Sequence, residues 1–402
     1  MSAATDSRRS ATVATGADRL AASGFASLSG QRIGLITNQT GMVGSDHLVD
    51  LMRRTPGIRL AAILAPEHGF RGHAEAGAKV ADGRDKRTGA PVFSLYGATK
   101  KPSRGMLADI DVLVFDIQDV GVRFYTYIST MGLAMQAAAE RAIPFVVLDR
   151  PNPLGGEDVS GFMLDPALKS FVGQYPMPIV HGMTVGEVAR MIKGERWLDG
   201  LDRLDLEVIA MKGWRRTMRW PETRLPWRPT SPNIPTFETA LAYPGIGLVG
   251  ETLVNEGRGT PIPFQQFGAP WLDAETAARN LAALALPGVR FEATAYTPRS
   301  IPNVAADPRF RDQHIPGVRI AITGAGTYVP LHTGMHALAE LHRQSRVRRT
   351  PLFGKLAMFT ATSGTTRLHA LVERGADGHA MIAAWQTEAA RFQERRASYL
   401  AY

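Results

Sequence analysis

Four short apolar runs in the first 150 residues stop abruptly at polar clusters. RIGLIT (32–37) ends in NQTG, RLAAILAP (59–66) in EHGFRG, DVLVFDI (111–117) in QDVGVR, and PFVVLDR (144–150) in PNPLGG. PVFSLYG (91–97) is a fifth, shorter candidate. Unbroken apolar runs of this length suit strands covered on both faces. Segments with apolar residues every three or four positions lie between them. SDHLVDLMRR predicts a helix capped by Ser45 or Asp46, and YISTMGLAMQAAAERA predicts one over 127–142. Thr184 and Glu187 have capping-box spacing ahead of another. Strands alternating with helices predict an α/β fold with a Rossmann-like, mostly parallel sheet. Such sheets bind ligands at the carboxyl ends of their strands, so the four polar clusters are expected on one edge.

The pattern changes near WPETRLPWRPTSPNIPTFETALAYPG (220–245), which is rich in Pro and Trp and reads as an ordered connection. Beyond it, GVRFEATAYTP and GVRIAIT suit strands. AETAARNLAAL, TGMHALAELHRQ and AMIAAWQTEAARFQERRASYL suit helices. The expected organisation is a disordered tail over 1–14, a Rossmann-like catalytic domain over 15–238, and a smaller α+β domain over 239–402 that completes a cleft.

Composition narrows the function. The 402 residues carry a net charge of +9, but no dense basic tract with interleaved aromatics, so no nucleic-acid partner is expected. No apolar run reaches the roughly 18 residues of a membrane span, and no membrane partner is expected. The first residues lack an apolar signal core, so a cytoplasmic location is expected, or an exported one if a signal was trimmed. With no cysteine, disulfides and thiolate metal sites are excluded.

The candidate chemistry sits in the polar clusters. Glu67 follows a strand and Pro66; burial there would raise its pKa toward that of a general acid. Asp116 and Asp119 add carboxylates, each of which could equally be a turn or cap residue. Several carboxylates around one cleft suit glycoside hydrolysis. Tyr125, Tyr127 and Trp227 would offer apolar faces to a sugar ring, or simply belong to the core. Arg71, Arg123 and Arg258 could hold an anionic group, or neutralise nearby acids. Glu256 and Arg258 lie in the Gly-rich NEGRGT. Glu67, His68, His73 and Asp116 have ligand chemistry but no compact metal spacing, and His332 and His336, four apart, have no acid between them. Neither GxGxxG nor GxSxG occurs where it would be needed.

GLITNQTG, APEHGFRG, PVFSLYG, KPS, FDIQDVGVRFYTYISTM, LDRPNPLGG, HGMTVGE, SPNIPT, YPG and NEGRGTPIPFQQFGAPW occur in this order over about 15–345. Together they closely resemble a bacterial family once known only as a domain of unknown function, whose characterised members are exo-β-N-acetylmuramidases of the NamZ type. The resemblance implies a cleft between a Rossmann-like domain and a smaller one. It also implies release of N-acetylmuramic acid from the non-reducing end of peptidoglycan-derived saccharides or muropeptides, without nicotinamide or metal. It matches Glu67 to the family's acid. Asp116 or Asp119 is then the helper, and the substrate's acetamide could itself attack the anomeric carbon. Asn38, His68, Arg71, Gln118, Arg123, Tyr125, Asn152, Asn233, Glu251, Glu256 and Arg258 form the expected binding set. Leu253-Val254 and the Cys-free segment before Ile320 depart from the family pattern. The competing expectations are a metal-assisted hydrolase of another acidic substrate and a non-catalytic muropeptide-binding protein.

Overall fold

In the computed structural model, which describes residues 12–66, 70, 83–97 and 99–402, the first half of the chain builds a seven-stranded sheet. Its strands are β1 (Arg32–Thr37), β4 (Arg59–Ala65), β5 (Gly83–Arg84), β6 (Pro91–Ser94), β7 (Val112–Asp116), β8 (Phe145–Leu148) and β9 (Leu206–Ile209). A two-residue ribbon, β2 (Met42–Val43) and β3 (Asp46–His47), follows β1. The order across the sheet is β5-β6-β4-β1-β7-β8-β9, and only β5 runs antiparallel to its neighbour.

Alternate side chains enter two different cores. Ile33, Leu35, Val112 and Val114 pack with α1 (Gly16–Ala22) and α2 (Leu48–Arg54). Ile36, Leu113 and Phe115 pack with α3 (Tyr127–Arg141) and α4 (Val185–Gly194). This double cover explains why these strands show no alternation in sequence.

The capping box of α4 forms as expected: Thr184 Oγ1 accepts from Glu187 N, and Glu187 accepts from Thr184 N. The cap of α2 is neither Ser45 nor Asp46. The ribbon takes up those positions, and His47 Nδ1 accepts from Val49 N at 3.2 Å. Nor is the stretch before 15 all tail, because Val13 is buried and Ala14 pairs with Lys212.

After α5 (Trp220–Thr223) an irregular segment leads into the second half. This comprises α6 (Phe237–Gly250), β10 (Gln266–Gly268), α7 (Ala274–Ala282), β11 (Val289–Tyr296), β12 (Ile315–Ile322) and α8 (Pro330–Val347), then α9 (Leu356–Ser363), α10 (Arg367–Glu373), α11 (Gly378–Ala383) and α12 (Gln386–Arg396). The strands form an antiparallel sheet in the order β10-β12-β11. The expected final helix is two, because the chain turns at Ala384–Trp385. Helices α6 and α8 cross with their backbones in contact at Gly245 and Gly334. A Cβ on Gly245 would stand 2.2 Å from the Pro330 carbonyl oxygen, so only glycine permits this crossing. Among the described residues no helix is long and apolar enough to cross a membrane.

Among the contacts that tie the halves together, two sets engage buried charged groups. Arg123 donates to the carbonyls of Phe162 (2.7 Å), Met177 (2.8 Å) and, from the second half, Thr362 (3.0 Å). Tyr402 Oη donates to the Asp149 carboxylate at 2.7 Å, while Ala401 N donates to Glu187 at 2.8 Å.

Candidate active site

The chain leaves β1 toward β4 on one side, while β7 leads to β8 on the other, so the topological switch lies between β1 and β7. Three of the four polar clusters meet at this edge. Thr37 Oγ1 donates to the Asp116 carbonyl at 2.9 Å, Gln118 N donates to Thr40 Oγ1 at 2.9 Å, and Gln118 Nε2 donates to the Pro151 carbonyl at 2.7 Å. The fourth cluster follows β4. Its Glu67, His68, Arg71 and His73 lie outside the described residues.

The two aspartates of DIQD have different surroundings. Asp116 is fully buried and faces Arg150 from the end of β8, with Nε to Oδ1 at 2.6 Å and Nη2 to Oδ2 at 2.9 Å. Both carboxylate oxygens are engaged by one guanidinium, an arrangement that suits a scaffold better than the expected catalytic helper. Removing only one partner would strand a buried charge. Arg150→Met is therefore expected to destabilise the protein by about 3–5 kcal/mol in urea unfolding, and Asp116→Leu/Arg150→Met to recover most of it. A loss below about 1 kcal/mol for the single variant would sink this assignment.

Asp119 is also buried, yet among the described residues no cation reaches it. Its Oδ2 accepts from Gly121 N at 2.6 Å and its Oδ1 has no hydrogen-bond partner. Burial pushes its pKa up to about 7, against the pull of the Gly121 and Val120 amides. A buried acid that is partly protonated near neutral pH, with one oxygen unpartnered, can give or take a proton.

Several expected ligand-binding groups make contacts that hold the fold. Arg123 is wholly buried, its guanidinium committed to the three carbonyls above, and burial pushes its pKa down to about 9. A group so placed cannot reach an anionic substrate. Asn38 folds its own loop: Oδ1 accepts from Thr40 N at 2.9 Å and from Thr40 Oγ1 at 2.5 Å. Asn152 likewise holds its loop, donating to the Met183 carbonyl at 3.0 Å and accepting from Leu154 N at 2.9 Å. Gln118 joins two loops through its amide nitrogen, leaving its Oε1 buried without a partner. Trp227 packs edge-on against Trp220, and Tyr127 belongs to the core with its hydroxyl on the Thr230 carbonyl at 2.7 Å.

The rest converge on one cavity of about 220 Å³ between the halves of the chain. Tyr125, with Phe124 and Thr126, lines one wall; Asn233 and Ser231 line the connecting segment; Glu251, Glu256 and Arg258 line the wall beyond α6. Tyr125 Oη donates to Thr230 Oγ1 at 2.9 Å, and burial holds the phenol protonated well above its usual range. Asn233 Nδ2 is tied to the Val304 carbonyl at 2.6 Å. Arg258 Nη1 lies 2.9 Å from Glu256 Oε1. Burial raises the pKa of Glu251, and the nearby Glu256 raises it further, while Arg258 and Arg309 pull it down. Arg258 is thus paired with Glu256 and feels the charge of Glu251 at the same wall.

Sequence reasoning missed Tyr96, Thr126, Ser231, Tyr243 and Phe264, which also line the cavity. Ser231 and Tyr243 sit in SPNIPT and YPG, whose ordered recurrence was the available signal. Among the described residues, no group of three or more His, Asp and Glu side chains is placed to hold a metal ion.

The descriptions of exo-β-N-acetylmuramidase NamZ match this chain in two parts, the N-terminal part over residues 33–238 and the C-terminal part over 241–402. The chain belongs to the NamZ family. It is 41% identical over 395 residues to the peptidoglycan β-N-acetylmuramidase NamZ of Bacillus subtilis, covering 97% of this chain and 91% of that one. Two crystal structures of DUF1343 family proteins from Bacteroides fragilis share the NamZ-family fold seen here. One superposes with a TM-score of 0.88 at 37% identity, covering 97% of this chain and 99% of its own; the other with 0.78 at 34%, covering 98% and 99%.

Proposed function

We propose that the protein is a glycoside hydrolase, an exo-β-N-acetylmuramidase that removes N-acetylmuramic acid from the non-reducing end of β-1,4-linked peptidoglycan fragments. The observation that carries this reading is the cavity between the halves. It offers aromatic faces from Phe124, Tyr125, Tyr243 and Phe264, and a cation, Arg258, flanked by carboxyl groups. A pyranose ring needs the first, and the lactyl carboxylate of muramic acid needs the second. Kinship to a protein named as a peptidoglycan β-N-acetylmuramidase supports the same substrate class.

The catalytic division we propose is Glu67 as general acid and base, with Asp119 as its helper. Glu67 follows Pro66, the buried residue after β4, and β4 borders β1 at the switch. Asp119 is preferred to Asp116 because its Oδ1 is free, whereas Arg150 engages both oxygens of Asp116. A protonated Asp119 could orient the substrate acetamide, and its ionised form could polarise the amide proton as the acetamide oxygen attacks the anomeric carbon. Glu67 would protonate the departing oxygen and then deprotonate the water that opens the intermediate.

The test is incubation of the protein with a β-1,4-linked N-acetylmuramic acid–N-acetylglucosamine disaccharide, with mass spectrometry of the products. Free N-acetylmuramic acid, formed equally with and without EDTA, is the expected result. Intact disaccharide with measurable binding would overturn hydrolysis and leave a muropeptide-binding protein. Release abolished by EDTA would favour metal-assisted hydrolysis.

A further inference from the structure

Two larger depressions adjoin the sugar cavity, and they differ in where their walls come from. One, of about 540 Å³, shares Glu256 and Arg258 with the cavity and, among the described residues, is lined by those between Gly250 and Gln313. The other, of about 380 Å³, shares Ser231 and includes Gln39 from the loop that follows β1. We infer that this second depression, lined by Gln39, Arg228, Pro229, Ser231, Pro232 and Asn303, is the subsite for the leaving sugar, the N-acetylglucosamine that follows the scissile bond. The inference rests on the muramidase reading above.

Chemistry separates the two depressions. A leaving sugar lies beside whichever acid protonates the bridging oxygen, and the candidate acids follow β4 and β7. Strand β1 lies between β4 and β7, and Gln39 stands two residues beyond its end. Among the described residues, the larger depression draws nothing from that sheet edge. An exo-acting enzyme needs one closed end and one open one. The cavity holding Arg258 is the smaller, and a terminal sugar bearing a carboxylate fits it. The remainder of the substrate then passes Ser231.

The lining also suits an acetamido sugar, with Arg228 as a donor for its hydroxyl or carbonyl oxygens. Gln39 Nε2 donates to the carbonyls of Pro229 at 2.9 Å and Thr230 at 3.1 Å, which fixes the segment that separates the two spaces. Its Oε1 is buried and has no hydrogen-bond partner, an acceptor waiting for an amide N–H or a hydroxyl. Pro229 and Pro232 present flat apolar rings to sugar C–H groups. Asn303, at φ 61°, holds a left-handed conformation that asparagine tolerates better than most residues, and its exposed amide lines the same space.

The experiment compares kcat/KM for two substrates, the disaccharide above and a p-nitrophenyl β-glycoside of N-acetylmuramic acid, which has no second sugar. In Gln39→Ala and in Asn303→Gly, the ratio of disaccharide to aryl-glycoside efficiency is expected to fall about tenfold, the effect of one or two lost hydrogen bonds. Inhibition by free N-acetylglucosamine should weaken to a similar degree. Glycine accepts the backbone angle at 303, so that variant carries the test alone if Gln39→Ala does not fold. A ratio within about twofold of the unsubstituted protein, with unchanged inhibition by N-acetylglucosamine, would overturn the subsite. If the unsubstituted protein releases N-acetylmuramic acid from neither substrate, the muramidase reading falls and the subsite with it.

Discussion

Glu67→Gln is expected to cut disaccharide turnover by about 10²–10⁴-fold while leaving the circular-dichroism spectrum and urea midpoint unchanged. The amide has the size of the acid but no proton to give. The loss should depend on the leaving group. A p-nitrophenolate needs little protonation, so the aryl glycoside should lose less in its glycosylation step than the disaccharide, whose departing sugar hydroxyl needs a full proton. Near-normal disaccharide turnover would remove Glu67 from the mechanism. Equal losses on both substrates would argue for a role other than leaving-group protonation.

Asp119→Asn is expected to lower kcat by about a hundredfold and to change how stability depends on pH. The sign follows from proton binding. An unfolded aspartate releases its proton near 3.8, whereas the folded Asp119 holds it up to about 7. Between those values the folded chain binds more protons than the unfolded one, so this group lowers stability as pH rises, and the loss is complete above about 7. The asparagine variant has no such loss. Relative to the unsubstituted protein it should gain on the order of 2–4 kcal/mol between pH 4 and pH 8. Urea titrations at the two pH values measure this. Parallel behaviour of both proteins would show that Asp119 is ionised at neutral pH and cannot serve as a neutral acid. Less active yet more stable at high pH is the combination expected of a buried functional acid, and a purely structural aspartate would not produce it.

Strands β1, β4, β7 and β8 were legible because both their faces are covered, which makes their apolar runs unbroken. Strand β9 was not, because Leu206–Ile209 is a half-buried edge without such a run. Helix α6 was hidden for the opposite reason. It is apolar nearly all round and contains Pro244, so neither periodicity nor composition marks it as a helix. The site followed the same logic. Composition pointed to a cleft of carboxylates, and motif order pointed to the family. Neither could tell Asp116 from Asp119, because the deciding partner, Arg150, lies 34 residues downstream and meets Asp116 only across the parallel β7–β8 pair. Arg123 misled in the same way. An arginine beside acids in sequence turns inward to carbonyls, one of them 239 residues away.

That last contact bears on the order in which a ribosome makes the protein. The sheet that carries the candidate acids is synthesised first, yet Arg123 lacks its third carbonyl until Thr362 is made. Asp149, raised to about 6 by burial, lacks a phenol that lies 253 residues further on. The emerging sheet can collapse around its two cores, but these buried groups must await the far end of the chain. The edge that holds the candidate acids is therefore finished only after Thr362 and Tyr402 have been made.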